Sequence, residues 1–323
     1  MVSPPTGPTL LYTGAADVHG FCHASLTDWP TQIPLSRYNT QIQIDGADFQ
    51  ESDPNFAAFV GACGWSGPGN GGFTTDGGET FVNFPNIEKN PPNQGGRIAV
   101  SATSRNMVWA TGYSAHKVHY STDTGATWKL SAGLPEETPV HLGFSIFYFM
   151  SPLCSDRVNG NIFYFYHYKA GSFYRSTDGG ASFTQVAENL PKNINANLLA
   201  NFTKEGDLWL SFKGVGLWHS TDGGSKWMRL GNVKVSNMIA IGRGPDATTP
   251  SLYLLGKVDD DKQEHIFRSD DYGKSWVKID IQRPYPNGSV YMCGDRRTYG
   301  TVYLSSATGI YYGQRKASDL DKP

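Results

Sequence analysis

Ser220-Thr221-Asp222-Gly223-Gly224-Ser225-Lys226-Trp227 is one of five copies of an eight-residue pattern, Ser/Thr-x-Asp-x-Gly-x-x-Trp/Phe. The other copies occupy residues 74–81, 121–128, 176–183 and 269–276. Their aspartates, Asp76, Asp123, Asp178, Asp222 and Asp271, follow one another at 47, 55, 44 and 49 residues. Self-similarity at that period marks a repeat architecture in which each repeat is one small sheet.

Each copy reads as a hairpin turn between two strands. The glycine at the fifth position permits a positive φ where the chain reverses. The aspartate can accept hydrogen bonds from backbone N–H groups of its own turn, and the Ser or Thr can serve the same turn more weakly. The closing Trp or Phe starts the next strand and can bury its ring between sheets. A catalytic carboxylate has no reason to recur five times in one chain, so these aspartates read as turn staples. The pattern resembles the Asp-box of β-propellers. The expected fold is all-β, a β-propeller of six or seven four-stranded antiparallel blades. Five turns mark five blades, and residues 289–313 hold three further strand-like runs for a sixth. The expected organisation is one domain over residues 1–323, with 1–55 as a first partial blade and 314–323 as a tail.

Strand-like runs at residues 56–60, 107–111, 118–121, 143–149, 208–212, 302–305 and 309–313 alternate with Gly/Pro/Asn/Asp clusters. Loops are expected at 64–72, 86–96, 135–139 and 244–250. No amphipathic helix longer than two turns is legible. The run Asp259-Asp260-Asp261 reads as a solvated hairpin tip, because it lacks the spaced ligands of a calcium loop.

Composition excludes several classes. The 27 Lys and Arg residues are scattered and balanced by 29 acids, so a nucleic-acid partner is not expected. The four cysteines, Cys22, Cys63, Cys154 and Cys293, form no C-x-x-C pair, so no zinc site, and no other metal or cofactor, is expected. No apolar run reaches membrane-spanning length, and none reads as a signal peptide. Two glycosylation sequons occur, at Asn201 and Asn287.

Three stretches narrow the reading. They are residues 10–26, Leu-Leu-Tyr-Thr-Gly-Ala-Ala-Asp-Val-His-Gly-Phe-Cys-His-Ala-Ser-Leu; Ser155-Asp156-Arg157-Val158-Asn159 followed by Phe163-Tyr164-Phe165-Tyr166; and Gly294-Asp295-Arg296-Arg297-Thr298-Tyr299-Gly300 followed by Gly309-Ile310-Tyr311-Tyr312-Gly313. In order and spacing they resemble the second propeller of glycoside hydrolase family 74, the xyloglucan-degrading enzymes. The resemblance covers roughly residues 3–313. It implies two seven-bladed propellers with a glycan cleft between them, each supplying one catalytic aspartate for inverting hydrolysis. Asp17 falls on the aspartate taken to be the general acid. The chain has Ala16 and His19 where the family pattern has glycine. The first-propeller segment that carries the general base has no counterpart here. The resemblance therefore implies a β-glucan partner, a first propeller supplied from elsewhere, and a secreted protein.

An inverting glycosidase needs two carboxyl groups about 6.5–9.5 Å apart, so that a water fits between them. Asp45, Asp48, Glu51 and Asp53 lie near in sequence, but they read as residues of a turn before the strand at 56–60 and not as the base. Sugar rings need aromatic platforms. Trp65, in a Gly-rich stretch, is the first candidate, with Tyr113 and His116 after a strand. Trp128, Trp227 and Trp276 close their turns and are expected in the core. The alternative function is a non-catalytic propeller that binds glycan or protein through the same face. A sialidase reading is disfavoured, because Arg175 and Arg268 adjoin the turns and not a common centre.

Overall fold

The computed structural model describes residues 1–15, 19–37, 40–41, 43–62, 69–85, 95–112, 117–138, 150–280, 291–306 and 309–315. They form seven antiparallel blades that succeed one another along the chain, with a small two-stranded hairpin of Ser36–Arg37 and Thr40–Gln41 between the first and second, and the described residues contain no helix. The first blade has Leu11–Gly14, Gly20–His23 and Thr31–Gln32, with Val2 bridged to Tyr12 on the inner side. The second has Gln43–Phe49, Ala57–Ala62, Gly69–Thr74 and Val82–Asn83. The third has Gly96–Val100, Met107–Thr111, Val118–Ser121 and Lys129–Leu130. The fourth has Leu153–Ser155, Phe163–His167, Ser172–Ser176 and Thr184–Ala187. The fifth has Ala196–Ala200, Leu208–Phe212, Gly216–Ser220 and Met228–Arg229. The sixth has Val233–Gly242, Ser251–Val258, His265–Ser269 and Val277–Lys278. The seventh has Tyr291–Gly294, Val302–Ser306 and Gly309–Gly313. Every sheet is a meander, ordered from its innermost to its outermost strand. The molecule is a seven-bladed β-propeller.

The segment before the first aspartate turn thus builds a whole first blade plus three strands of the second. The expected boundary at residue 55 falls inside the second blade, because Gln43–Phe49 already pairs with Ala57–Ala62. The expected loop at 64–72 is also shorter, since Gly69–Thr74 is a strand. The strand expected at 143–149 lies outside the described residues.

The aspartate turns all share one hydrogen-bond scheme. The first-position hydroxyl donates to the aspartate Oδ1 at 2.7–2.9 Å. The same hydroxyl accepts the fifth-position glycine N–H at 2.8–3.0 Å. Oδ1 also accepts the seventh-position N–H at 2.9 Å. Each hydroxyl residue is buried, so Ser or Thr is a full partner in the turn and not its weaker member.

Positive φ holds at the fourth position as well as the fifth. Gly78, Gly125, Gly180, Gly224 and Gly273 lie at φ 77–101°, while Thr124 and Tyr272 occupy the fourth position at 58° and 60°. A Cβ on the fifth-position glycine would strike the preceding blade: Val108 Cγ2 at 2.2 Å for Gly180, Phe173 Cε1 at 2.2 Å for Gly224 and Leu230 Cδ2 at 2.5 Å for Gly273. The closing aromatics enter the apolar layers that join one blade to the next. Trp128 is fully buried, edge-on to Phe84 and Trp109. Trp227 and Trp276 are only half-buried, contrary to expectation, and pack against the buried clusters without joining them.

Two fold predictions follow from this geometry. Thr124→Gly should raise stability by up to ~1 kcal/mol, because a β-branched residue leaves a left-handed conformation. Gly180→Ala should cost about 1–3 kcal/mol, combining that conformation with the Val108 contact. Urea midpoints test both, and equal shifts of one sign would contradict the geometry.

The aspartates also titrate. Although desolvation pushes upward, the hydrogen bonds they accept hold all five carboxyls below their ordinary value of 3.8, Asp76 at about 2. A depressed folded-state pKa gives stability that is present above the unfolded value and lost as pH falls through the folded one. The melting temperature should therefore drop between about pH 4 and pH 2. Asp222→Asn should melt lower at neutral pH and lose less on acidification.

Candidate functional site

Strand connectivity defines two faces. In a meander the first-to-second and third-to-fourth connections share one end, and the second-to-third connections share the other. The aspartate turns are third-to-fourth connections, so all five rim one face. Backbone bonds tie these turns to the first-to-second turns of their own blades: Gly77 N–H to Asn55 O, Gly179 N–H to Asn161 O and Gly223 N–H to Gly206 O, each 2.9 Å.

Asp17, Trp65, Tyr113 and His116 lie outside the described residues. The strands that flank them are described. Gly14 pairs with Gly20, Ala62 with Gly69 and Ala110 with Val118, in three neighbouring blades, and all three pairs end on the face opposite the aspartate turns. Around position 17, Ala15 N–H donates to His19 O at 2.9 Å, and His19 bridges to Gln43 of the second blade. His19 is buried at φ 66°, which explains why glycine suits that place in the family pattern. His23 of the same motif is structural. Its Nε2 meets Thr13 Oγ1 at 3.1 Å, and burial lowers its pKa, which favours the neutral ring.

The four carboxylates nearest in sequence are placed differently from expectation. Asp45 and Asp48 sit on the innermost strand of the second blade, not on a turn. Gln43 Nε2 donates to Asp45 Oδ1 at 2.5 Å. Asp48 accepts from Val100 N–H at 2.8 Å and from Arg157 Nη1 at 2.9 Å. Glu51 stands at the aspartate-turn end of the ring centre. It accepts Arg157 Nε at 2.7 Å and a bidentate pair from Arg296 at 2.8 and 3.0 Å. Desolvation would raise the Glu51 carboxyl, but Arg157 and Arg296 outweigh it and hold the pKa low. Asp53 faces Arg105 at 3.7 Å. Glu51, held ionised by two guanidinium groups, is a poor base.

The two Asp-Arg stretches, Asp156-Arg157 and Asp295-Arg296, build this contact in the same way. Asp156 caps the first-to-second turn of the fourth blade by accepting Val158 and Asn159 N–H at 2.9 and 2.8 Å, and Tyr164 donates its hydroxyl at 2.9 Å. Asp295 does the same in the seventh blade with Arg297 and Thr298 N–H, both at 2.6 Å, and with the Tyr303 hydroxyl. The next residue of each stretch, Arg157 or Arg296, reaches Glu51. Phe49 and Phe202 give the guanidinium groups aromatic faces, the Arg296–Phe202 separation being 3.5 Å.

Toward the opposite face, Arg97 donates its Nε to Met150 O at 2.9 Å and other N–H groups to Asp45 O and the Tyr291 hydroxyl. Between the two arginine layers lies a cavity of about 210 Å³ lined by Cys154, Asn197 and Cys293, among others. Among the described residues, no group of three or more His, Cys, Asp or Glu side chains is arranged to hold a metal. No helix there is long and apolar enough to cross a membrane. The sequon at Asn201 is not an acceptor in the folded chain, because Asn201 is fully buried and its Oδ1 accepts Thr203 N–H at 3.0 Å. Asn287 lies outside the described residues.

No family model matches the chain. It is 35% identical over 323 residues to a xyloglucanase of a Paenibacillus species, covering 97% of this chain and 29% of that protein. It is 35% identical over 328 residues to xyloglucanase Xgh74A of Acetivibrio thermocellus, covering 100% of this chain and 36% of that protein. Among solved structures it is similar to the glycoside hydrolase family 74 xyloglucanase of Xanthomonas campestris, with TM-score 0.77, 26% identity, and coverage of 97% of this chain and 42% of that one. The chain spans about a third of the length of the curated relatives it matches. Fold and matches define a propeller similar to part of the xyloglucanases. The chain is a glycoside hydrolase family 74 xyloglucanase-like protein, corresponding to a fragment of those relatives' length.

Glu51→Gln should leave two buried guanidinium groups with half their compensation, at a cost of about 3–5 kcal/mol. Its depressed pKa means that the contribution is present above the ordinary glutamate value of 4.5 and lost as pH falls through the folded one. Denaturant melts at pH 7 and pH 4 should show a smaller gap between wild type and variant at the lower pH.

Proposed function

We propose that this chain is the acid-bearing propeller of a xyloglucan-degrading enzyme, acting on xyloglucan or a related β-1,4-glucan by inverting hydrolysis. The observation that carries the reading is the 35% identity to xyloglucanases across nearly the whole chain. The strand pair Leu11–Gly14 and Gly20–His23, which flanks position 17 in sequence and ends on the face away from the aspartate turns, supports it. Asp17 is the proposed general acid, and Trp65, Tyr113 and His116 the proposed sugar contacts. The five turns are proposed to be Asp-boxes of the BNR-repeat kind. By analogy with its relatives the protein is proposed to work outside the cell.

The reaction needs a second carboxylate to activate water. Asp48 and Glu51 are committed to Arg157 and Arg296 around the ring centre, and the strand ends beside position 17 lie on the opposite face. The base is therefore proposed to come from a first propeller facing this one across the glycan. The same observation favours a second reading for the chain alone, a propeller that binds β-glucan without cleaving it.

Reducing-sugar release from xyloglucan separates these readings. The isolated chain should release little sugar. Addition of a family 74 first propeller in trans should restore turnover, and Asp17→Asn should abolish it. Equal, robust activity in wild type and Asp17→Asn would remove Asp17 as the acid. Robust activity of the isolated chain, lost in the variant, would mean that the chain holds its own base.

A further inference from the structure

In six blades the third and fourth strands are joined through the same number of residues. The pairs that flank the turn are Cys22↔Thr31, Phe73↔Val82, Tyr120↔Lys129, Arg175↔Thr184, His219↔Met228 and Arg268↔Val277. Five of these turns carry the repeated pattern, with Phe81, Trp128, Phe183, Trp227 or Trp276 as the last residue before the fourth strand. The first blade is the exception. Ser25 stands at the aspartate position, Thr27 at the glycine position and Pro30 at the aromatic position. Its aromatic, Trp29, comes one residue early. A one-residue shift at a strand end turns a side chain to the other side. The five aromatics in register contribute to the layers between blades, whereas Trp29 is 98% exposed.

The turn that carries Trp29 is held by its own hydrogen bonds. Ser25 Oγ accepts Thr27 N–H at 3.2 Å and Asp28 N–H at 3.0 Å, and it donates to Asp28 Oδ2 at 2.7 Å. Pro30 restricts the backbone on the other side. The indole gains nothing from burial, yet it is presented on a braced turn. Its surroundings are polar: Thr27, Asp28, Thr31 and Gln32 are all exposed. A protein hot spot is ringed by contacts that exclude water. A lone ring among hydroxyl, carboxylate and amide groups suits a sugar, whose axial C–H groups stack on the ring while its hydroxyls bond the neighbours.

We propose that Trp29 is a stacking platform for a pyranose ring of a β-1,4-glucan, on the aspartate-turn face and so remote from the opposite face, where the Gly14–Gly20 pair ends. The inference rests on the glycan reading above, and it adds a second contact point for a long polysaccharide.

The probe is a xyloglucan heptasaccharide, with cellohexaose and maltohexaose as comparison sugars. The chain is labelled with ¹⁵N at its indoles, and Trp29→Phe assigns the Trp29 resonance. The resonance should move saturably with the two β-glucans and not with maltohexaose, an α-glucan. Retention of Trp29→Ala on a xyloglucan affinity gel should fall about tenfold, as expected for loss of one stacked ring, with an unchanged melting temperature. If other indoles move and Trp29 does not, this proposal falls and the glycan reading stands. If no indole moves with any sugar, both fall. If maltohexaose moves Trp29 as far as the β-glucans do, the assignment to β-1,4-glucan is overturned.

Discussion

The propeller depends on close approach at five glycines. Each fifth-position glycine sits at positive φ with the preceding blade pressed against its α-carbon, where a methyl group would lie 2.2–2.8 Å from Cys22, Phe84, Val108, Phe173 or Leu230. The hydroxyl and aspartate of the same turn fix that conformation, and the aromatic three residues later enters the layer the contact creates. One short motif therefore shapes a hairpin and docks it on its neighbour. This accounts for its recurrence better than a repeated chemical role does. Its aspartates are spent on N–H and O–H donors of their own turns, and their depressed pKa values are the electrostatic trace of that use.

Closure of the ring uses different means. The turn of the first blade lacks the docking glycine and the in-register aromatic, and among the described residues no apolar cluster joins the seventh blade to the first. The seam is polar. Arg297 donates to Pro4 O at 3.0 Å, Thr6 O at 2.9 Å and Thr9 O at 2.6 Å. Nearer the axis, Glu51 draws Arg157 and Arg296 together from the fourth and seventh blades. A buried carboxylate that satisfies two guanidinium groups has little left for catalysis, so the demands of closure bear directly on where the second catalytic carboxylate must be sought.

Much of this was written in the sequence because it is local. The five turns need particular residues at fixed spacing, so their motif predicts hairpins, their spacing predicts blades, and strands such as Met107–Thr111, Val118–Ser121 and Leu208–Phe212 fall where alternation of apolar residues and turn residues puts them. The two Asp-Arg stretches were also legible, each as part of the family resemblance, but not as partners of one carboxylate. The number of blades was not, because the first blade has no repeated turn to announce it. Nor was the burial of Asn201, which looked like an ordinary sequon, or the placement of Asp45 and Asp48 on an inner strand.

What only the tertiary structure decided involves partners distant in sequence. Glu51 meets Arg157 and Arg296 across the ring axis, 106 and 245 residues away. No local pattern encodes such contacts, since their energy exists only once the blades have closed. The same holds for Trp29, whose one-residue displacement becomes visible when its turn is aligned by strand register with the other five. Sequence determined the repeating unit, because backbone geometry is a property of neighbouring residues. Closure of seven units into a ring decided which charges are spent on structure and which surface is left to bind.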